Sequence, residues 1–147
     1  MTMTIPTTQC SVQIQIWVDT NAIQNGSTRG VYLVDNRVTS GGQNEGSANL
    51  VTSCTQDSYV CWQILTVDPN ASASVQIQSI GSANAWGPSG QPQVASDNPN
   101  AFTGQAQNPG SSSYQLSINV TADGGSGTTV ILNPGMNVQA ISHRTAA

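Results

Sequence analysis

The sequence predicts an all-β chain, folded as a single-domain antiparallel β-sandwich of about seven to nine strands with Greek-key or jelly-roll crossing. Three features point there. Apolar residues recur at every second position over short stretches, most clearly in Val12, Ile14, Ile16 and Val18, which is the period of a half-buried strand. Gly, Pro, Asn and Asp cluster between those stretches, where turns need them. No segment of ten or more residues repeats its apolar positions at helical spacing.

In chain order, Ser11–Val18 carries the strongest alternation, with Gln13, Gln15 and Trp17 opposite the apolar set. Residues 20–30 hold Asn-Gly and Arg-Gly turn signals, and Gly30–Val34 is a short strand stopped by Asp35-Asn36. The Gly-rich run 40–46 is a connection. Strands follow near Ala48–Cys54 and Tyr59–Val67, and Asp68-Pro69-Asn70 ends the second, because proline has no N–H for a ladder. Ser74–Ile80 alternates again. The segment 81–110, rich in proline (Pro88, Pro92, Pro99, Pro109), has little periodicity and is expected to be irregular. Tyr114–Val120 then alternates, residues 122–127 form a hairpin loop, and Thr128–Leu132 and Met136–Ile141 are the last strands. No internal repeat or linker divides the chain, so one domain spans residues 1–147, with 1–10 and 142–147 expected as flexible ends. A chain of 15.2 kDa can bury a core without metal or disulfide support.

Charge excludes several functions. There is no lysine, and the charged side chains are Arg29, Arg37, Arg144, six Asp and Glu45, for a formal net charge of −4. Ser, Thr, Asn and Gln make up about two-fifths of the residues. Nucleic acid is not an expected partner, because phosphate recognition needs clustered cations. A bilayer is not one either, since no apolar run approaches the ~20 residues of a spanning helix. A surface so poor in charge hydrogen-bonds readily and repels its own copies weakly, which favours self-association. The opening ten residues lack the basic and apolar regions of a secretory signal, which predicts a cytoplasmic protein. A mature domain whose leader had been exchanged for an initiator Met would read the same way.

The residues offer little catalytic chemistry. His143 is the sole histidine, near the end of the chain, and no serine has a Gly-x-Ser-x-Gly context. One His and three separated Cys (Cys10, Cys54, Cys61) make no zinc cage, and no metal or other cofactor is expected. Asp97-Asn98-Pro99-Asn100 gathers oxygen-bearing side chains, so calcium stays open there, although such loops are more often ordinary Asx turns. By alternation Cys54 faces the core with Leu50 while Cys61 opposes Val60 and Trp62, so those two sulfurs should point to opposite sides.

Two binding surfaces are candidates. Trp17, flanked by Gln13 and Gln15, lies on the outer face of the first strand, where a large aromatic needs cover from a loop or from a second subunit. That makes these three residues the candidate self-association site and a homodimer the expected assembly. Asn84, Trp86 and Gln91 combine an aromatic platform with uncharged hydrogen-bonding groups, as in a lectin-like carbohydrate-binding module. The alternative is that Trp86 plugs the open end of the sandwich. Trp62, sharing parity with Val60 and Ile64, is core.

The order of segments over roughly residues 12–139 resembles the AidA/PixA family of bacterial inclusion-body proteins. Val12–Thr20 with Ile23 is similar to the family's opening strand ending in Asp-Thr, and Tyr32-Leu33-Val34, 40–46 and Leu50 to its next two strands and turn. Val60 and Trp62 match its Gly-Asp-x-Ile-x-Trp element, and Leu132-Asn133-Pro134 with Met136 and Val138 its Trp-Asp-Pro segment. Asp57-Ser58 stands where Gly-Asp is expected, Cys61 and Gln63 replace basic positions, and Leu132-Asn133 replaces Trp-Asp. The resemblance implies a β-sandwich, cytoplasmic expression tied to quorum sensing or stationary phase, accumulation as inclusions in some members, and a link to host interaction. It implies no enzymatic activity and no agreed ligand, so it transfers no catalytic residue. A non-enzymatic, self-associating protein is therefore the leading expectation, with glycan binding the runner-up.

Overall fold

A computed structural model describes residues 5–20, 30–36, 43–68, 70, 73–121 and 127–140. Among them lie eleven strands: β1 (Val12–Val18), β2 (Val31–Asp35), β3 (Val51–Thr55), β4 (Ser58–Thr66), β5 (Ser74–Ile80), β6 (Gln93–Val94), β7 (Ala101–Ala106), β8 (Gly110–Ser113), β9 (Leu116–Thr121), β10 (Gly127–Leu132) and β11 (Gly135–Gln139). They form a five-stranded sheet in the order β2-β1-β4-β7-β6 and two three-stranded sheets, β10-β9-β5 and β3-β11-β8. The described residues contain no α-helix, only single 3-10 turns at Thr7–Gln9 and Asn84–Trp86.

The all-β sandwich expected from alternation is the fold. β1 buries every second residue, and Val12, Ile14, Ile16 and Val18 are at most 1% exposed. Register carries this face across the sheet: Val12, Ile14 and Ile16 stand beside Val60, Trp62 and Ile64 on β4, while Ile16 and Val18 stand beside Leu33 and Val31 on β2. From the smaller sheets Ile77, Leu116, Ile118, Val130, Leu132, Met136 and Val138 join the same core cluster. Each such side chain contributes about 1.5–3 kcal/mol on leaving water. Most ladders are antiparallel, but β1 with β4 and β3 with β11 are parallel. Parallel partners are joined by long crossovers, and alternation within one strand carries no information about them.

Two expectations need correction. The segment 81–110 is not irregular throughout: it holds the turn at Asn84–Trp86, all of β6 and β7, and the first residue of β8. β7 shows no alternation because Ala101, Phe102, Thr103 and Gly104 are all buried, as happens when both faces of a strand are covered. One face meets the core. Over the other lies the chain at residues 5–10, where the Thr103 hydroxyl donates to the Ile5 carbonyl at 2.6 Å. Residues 5–10 are therefore not a free end: Ile5 is buried, and Thr7 is tied to Asp97 through its N–H at 2.8 Å and its hydroxyl at 2.7 Å. Residues 1–4 and 142–147 lie outside the described residues.

Glycine is required where the chain after Trp86 crosses β7. The Gly90 N–H donates to the Trp86 carbonyl and the Gly90 carbonyl accepts from Gln105, both at 3.0 Å. A Cβ on Gly90 would overlap the Gln105 carbonyl oxygen, so any other residue would push this crossing off the strand.

Candidate functional site

The three tryptophans of the chain fall into two environments. Trp62 on β4, Trp86 in its 3-10 turn and Tyr114 before β9 form a buried triad with ring centroids 5.3–5.8 Å apart. The Trp62 indole N–H donates to the Tyr114 hydroxyl at 3.0 Å, and the Trp86 indole N–H donates to the Gly81 carbonyl at 3.0 Å. Burial pushes the Tyr114 phenol well above its usual range, so it stays neutral.

This triad corrects the carbohydrate-site expectation. Trp86 is 1% exposed and offers no stacking platform. The Gln91 side-chain amide donates to the Ile80 carbonyl at 2.7 Å, and the exposed Asn84 gives its backbone carbonyl to the Asn108 amide at 2.8 Å. Trp86 is packed inside the core and the Gln91 amide is engaged by the backbone, so the three residues form no open aromatic platform, and the indole is worth more packed against two rings than left in water.

Trp17 is the opposite case. It lies on the outer face of the five-stranded sheet, half-buried, with Gln13 and Gln15 on the same side. Its indole N–H donates to Gln15 Oε1 at 3.1 Å, and the Gln13 amide donates to the Cys10 carbonyl at 3.1 Å. The ladders set Trp17 directly between Tyr32 on β2 and Leu65 on β4. Tyr32 is 44% exposed and Leu65 is half-buried. A row of three large side chains thus crosses three adjacent strands, bordered by the row Val34, Gln15 and Gln63. Tyr32 and Leu65 are the members that sequence reading missed; register between distant segments selects them, and no local signal does.

Two cavities are small or lack reactive groups. One bounded by Gln13, Gln15, Val34, Asp35 and Asn36 has a volume of about 190 Å³, below the ~300 Å³ at which small-molecule sites begin. A groove of about 460 Å³ runs along Ser79, Ile80, Pro92, Gln93, Val94 and Phe102, and no ionisable side chain is among these. Carboxylates elsewhere serve the backbone. Thr7 holds the Asp97 carboxyl below its usual range by donating to both of its oxygens. The Asn100 N–H donates to Asn98 Oδ1 at 2.9 Å, so the loop considered for calcium is an Asx turn with its acid already engaged. Glu45 accepts from the Asp35 N–H at 2.9 Å, and burial raises its carboxyl above the usual range. Among the described residues no three His, Cys, Asp or Glu converge to hold a metal ion. His143 lies outside them. No helix among them is long and apolar enough to cross a membrane.

Comparison with known proteins adds two findings. A family model described as a domain of unknown function, DUF8788, matches residues 10–128. Among solved structures, the chain is similar to the inclusion body protein PixA from Burkholderia cenocepacia J2315, with a TM-score of 0.65 and 14% identity over 88% of this chain and 95% of that one. No curated protein matches the chain. The likeness to PixA bears out, at the level of the fold, the AidA/PixA resemblance read from the sequence.

Proposed function

The chain belongs to the DUF8788 family, and from that footing we propose that it is a non-enzymatic, self-associating protein of the inclusion-body kind. Copies meet through the outer face of the five-stranded sheet. The observation that carries this reading is the row Tyr32–Trp17–Leu65, apolar at its centre and bordered by Gln15 and Gln63. Aromatic side chains with a polar rim and few charges are the composition of protein interfaces. Two copies of this row present no like charges to each other. A chain without lysine and with only ten charged side chains has little repulsion to oppose dense packing. The shared fold with an inclusion body protein supports the same reading.

Assembly of this kind belongs in the bacterial cytoplasm, and expression rising with cell density or host contact completes the proposal. The test is accumulation in bacterial cells of the wild-type chain and Trp17→Ser, each expressed at equal level and viewed by electron microscopy. Compact inclusions of folded wild-type protein, absent in the variant, are the expected result. Dispersed wild-type protein at high expression would refute the reading.

A further inference from the structure

The segment at residues 5–10 lies over the outer face of the five-stranded sheet at β7 and the Gln13 end of β1, and its last residue packs against a cluster that holds a second thiol. Cys61 on β4 is fully buried in a small cluster with Ala95 and Ala101, separate from the main core, and the half-buried Cys10 packs against that cluster. The segment is held in place on either side of the sulfurs. Ile5 is bonded by Thr103, Thr7 by Asp97, and the Cys10 carbonyl accepts from Gln13 at 3.1 Å, Gln13 being the β1 residue in register with Cys61. Three polar anchors therefore hold Cys10 against the cluster that contains Cys61 without any covalent link.

We propose that Cys10 and Cys61 form a peroxide-responsive dithiol that closes into a disulfide, locking residues 5–10 onto the sheet. The partly exposed Cys10 sulfur attacks one oxygen of hydrogen peroxide. The O–O bond breaks, sulfur is oxidised to the sulfenic acid, and the departing hydroxide takes the thiol proton as water. Cys61 then attacks the Cys10 sulfur, the S–O bond breaks, and the leaving hydroxide takes the Cys61 proton as a second water. Two thiols and one peroxide give one disulfide and two waters.

The environments assign the roles in that order. The Cys10 thiol has the Pro6 carbonyl as its hydrogen-bond partner at 3.9 Å, and the neighbouring Cys61 thiol holds the Cys10 pKa below its ordinary value despite the opposing effect of burial. The Cys10 side chain, then burial, pushes Cys61 up. Cys10 is the half-buried residue of the pair and Cys61 the buried one, so Cys10 is placed to attack and Cys61 to resolve. Cys54 supplies an internal control: it faces the main core on the other side, beside Met136 Sδ at 3.7 Å.

The test treats the full-length reduced protein with one equivalent of hydrogen peroxide, blocks remaining thiols under denaturing conditions, and maps peptides by mass. The expected product is about 2 Da lighter before blocking, carries a single blocked thiol at Cys54, and yields a Cys10–Cys61 linked peptide that a reductant reverses. Exchange of the Gln9 and Cys10 amides, which donate to Pro6 and Thr7 carbonyls, should slow by about tenfold or more on closure. Cys54→Ser should close normally and Cys10→Ser should not. Three blockable thiols after treatment, Cys10 driven to the sulfinic acid without linkage, or a bond between two chains through Cys10 would each overturn the proposal. The wild-type peptide map decides it even if Cys61→Ser fails to fold.

Discussion

The inner triad Trp62–Trp86–Tyr114, which takes Trp62 from the five-stranded sheet, and the outer row Tyr32–Trp17–Leu65, which lies wholly on it, both depend on tryptophan. Within the triad the Trp62 indole N–H has a buried partner in Tyr114, from a distant segment, the Trp86 indole N–H is taken by the nearby Gly81 carbonyl, and Trp62 packs edge to face on both other rings. In the outer row the indole N–H donates to Gln15, two residues away on its own strand, and Tyr32 is 44% exposed. The difference is one of parity. Trp62 shares a face with Val60 and Ile64, whereas Trp17 sits between Ile16 and Val18 on the opposite side. A tryptophan on the core face is explained by the chain's own packing; one on the outer face gains most of its burial only when something else covers it.

Breaking the inner triad should have the largest effect. Trp62→Ala or Trp86→Ala should cost about 3–5 kcal/mol, as large aromatic deletions in a core do, read as a lower denaturation midpoint with no change specific to assembly. Tyr114→Phe is subtler. It strands the Trp62 indole N–H in the core and should cost about 1–3 kcal/mol. If either variant were as stable as wild type, the triad would not be the structural element described.

Smaller effects are expected at residues 5–10. Thr7 holds the Asp97 carboxyl below its ordinary value. Its contribution is thus fully present above about pH 4 and lost as pH falls through the lowered folded value. Protection of the Thr7 amide, taken relative to the intrinsic exchange rate at each pH, should therefore fall on acidification in the wild type. In Asp97→Asn that pH dependence should be flat, and a variant that kept it would remove Asp97 from the account. Trp17→Ser should change the stability of the isolated chain least, by about 1 kcal/mol or less, because the residue is not part of the core.

Much of this was legible in the residues themselves. The alternation of β1 and β9, and the opposite faces of Cys54 and Cys61, follow from a period of two. β7 was not legible, because Ala101–Gly104 is covered on both faces and its pattern vanishes. The cover itself comes from residues 5–10, whose short polar run Thr7-Thr8-Gln9 reads as a loose end until Asp97 and Thr103 are seen to hold it. Trp17 was identifiable as an outward aromatic, but its neighbours Tyr32 and Leu65 depend on which strands pair, and one of those pairings is parallel. Trp86 could have been platform or plug from sequence alone. The decision rests on Tyr114 and Trp62, which reach it from distant segments.

The most direct measurement is size-exclusion chromatography with light scattering across a concentration series, on wild type and Trp17→Ser, with circular dichroism to show that both are folded. Self-association through the outer row predicts a dimer or larger species that grows with concentration in the wild type and dissolves in the variant. A wild-type monomer at every concentration, or an assembly indifferent to Trp17→Ser, would contradict it.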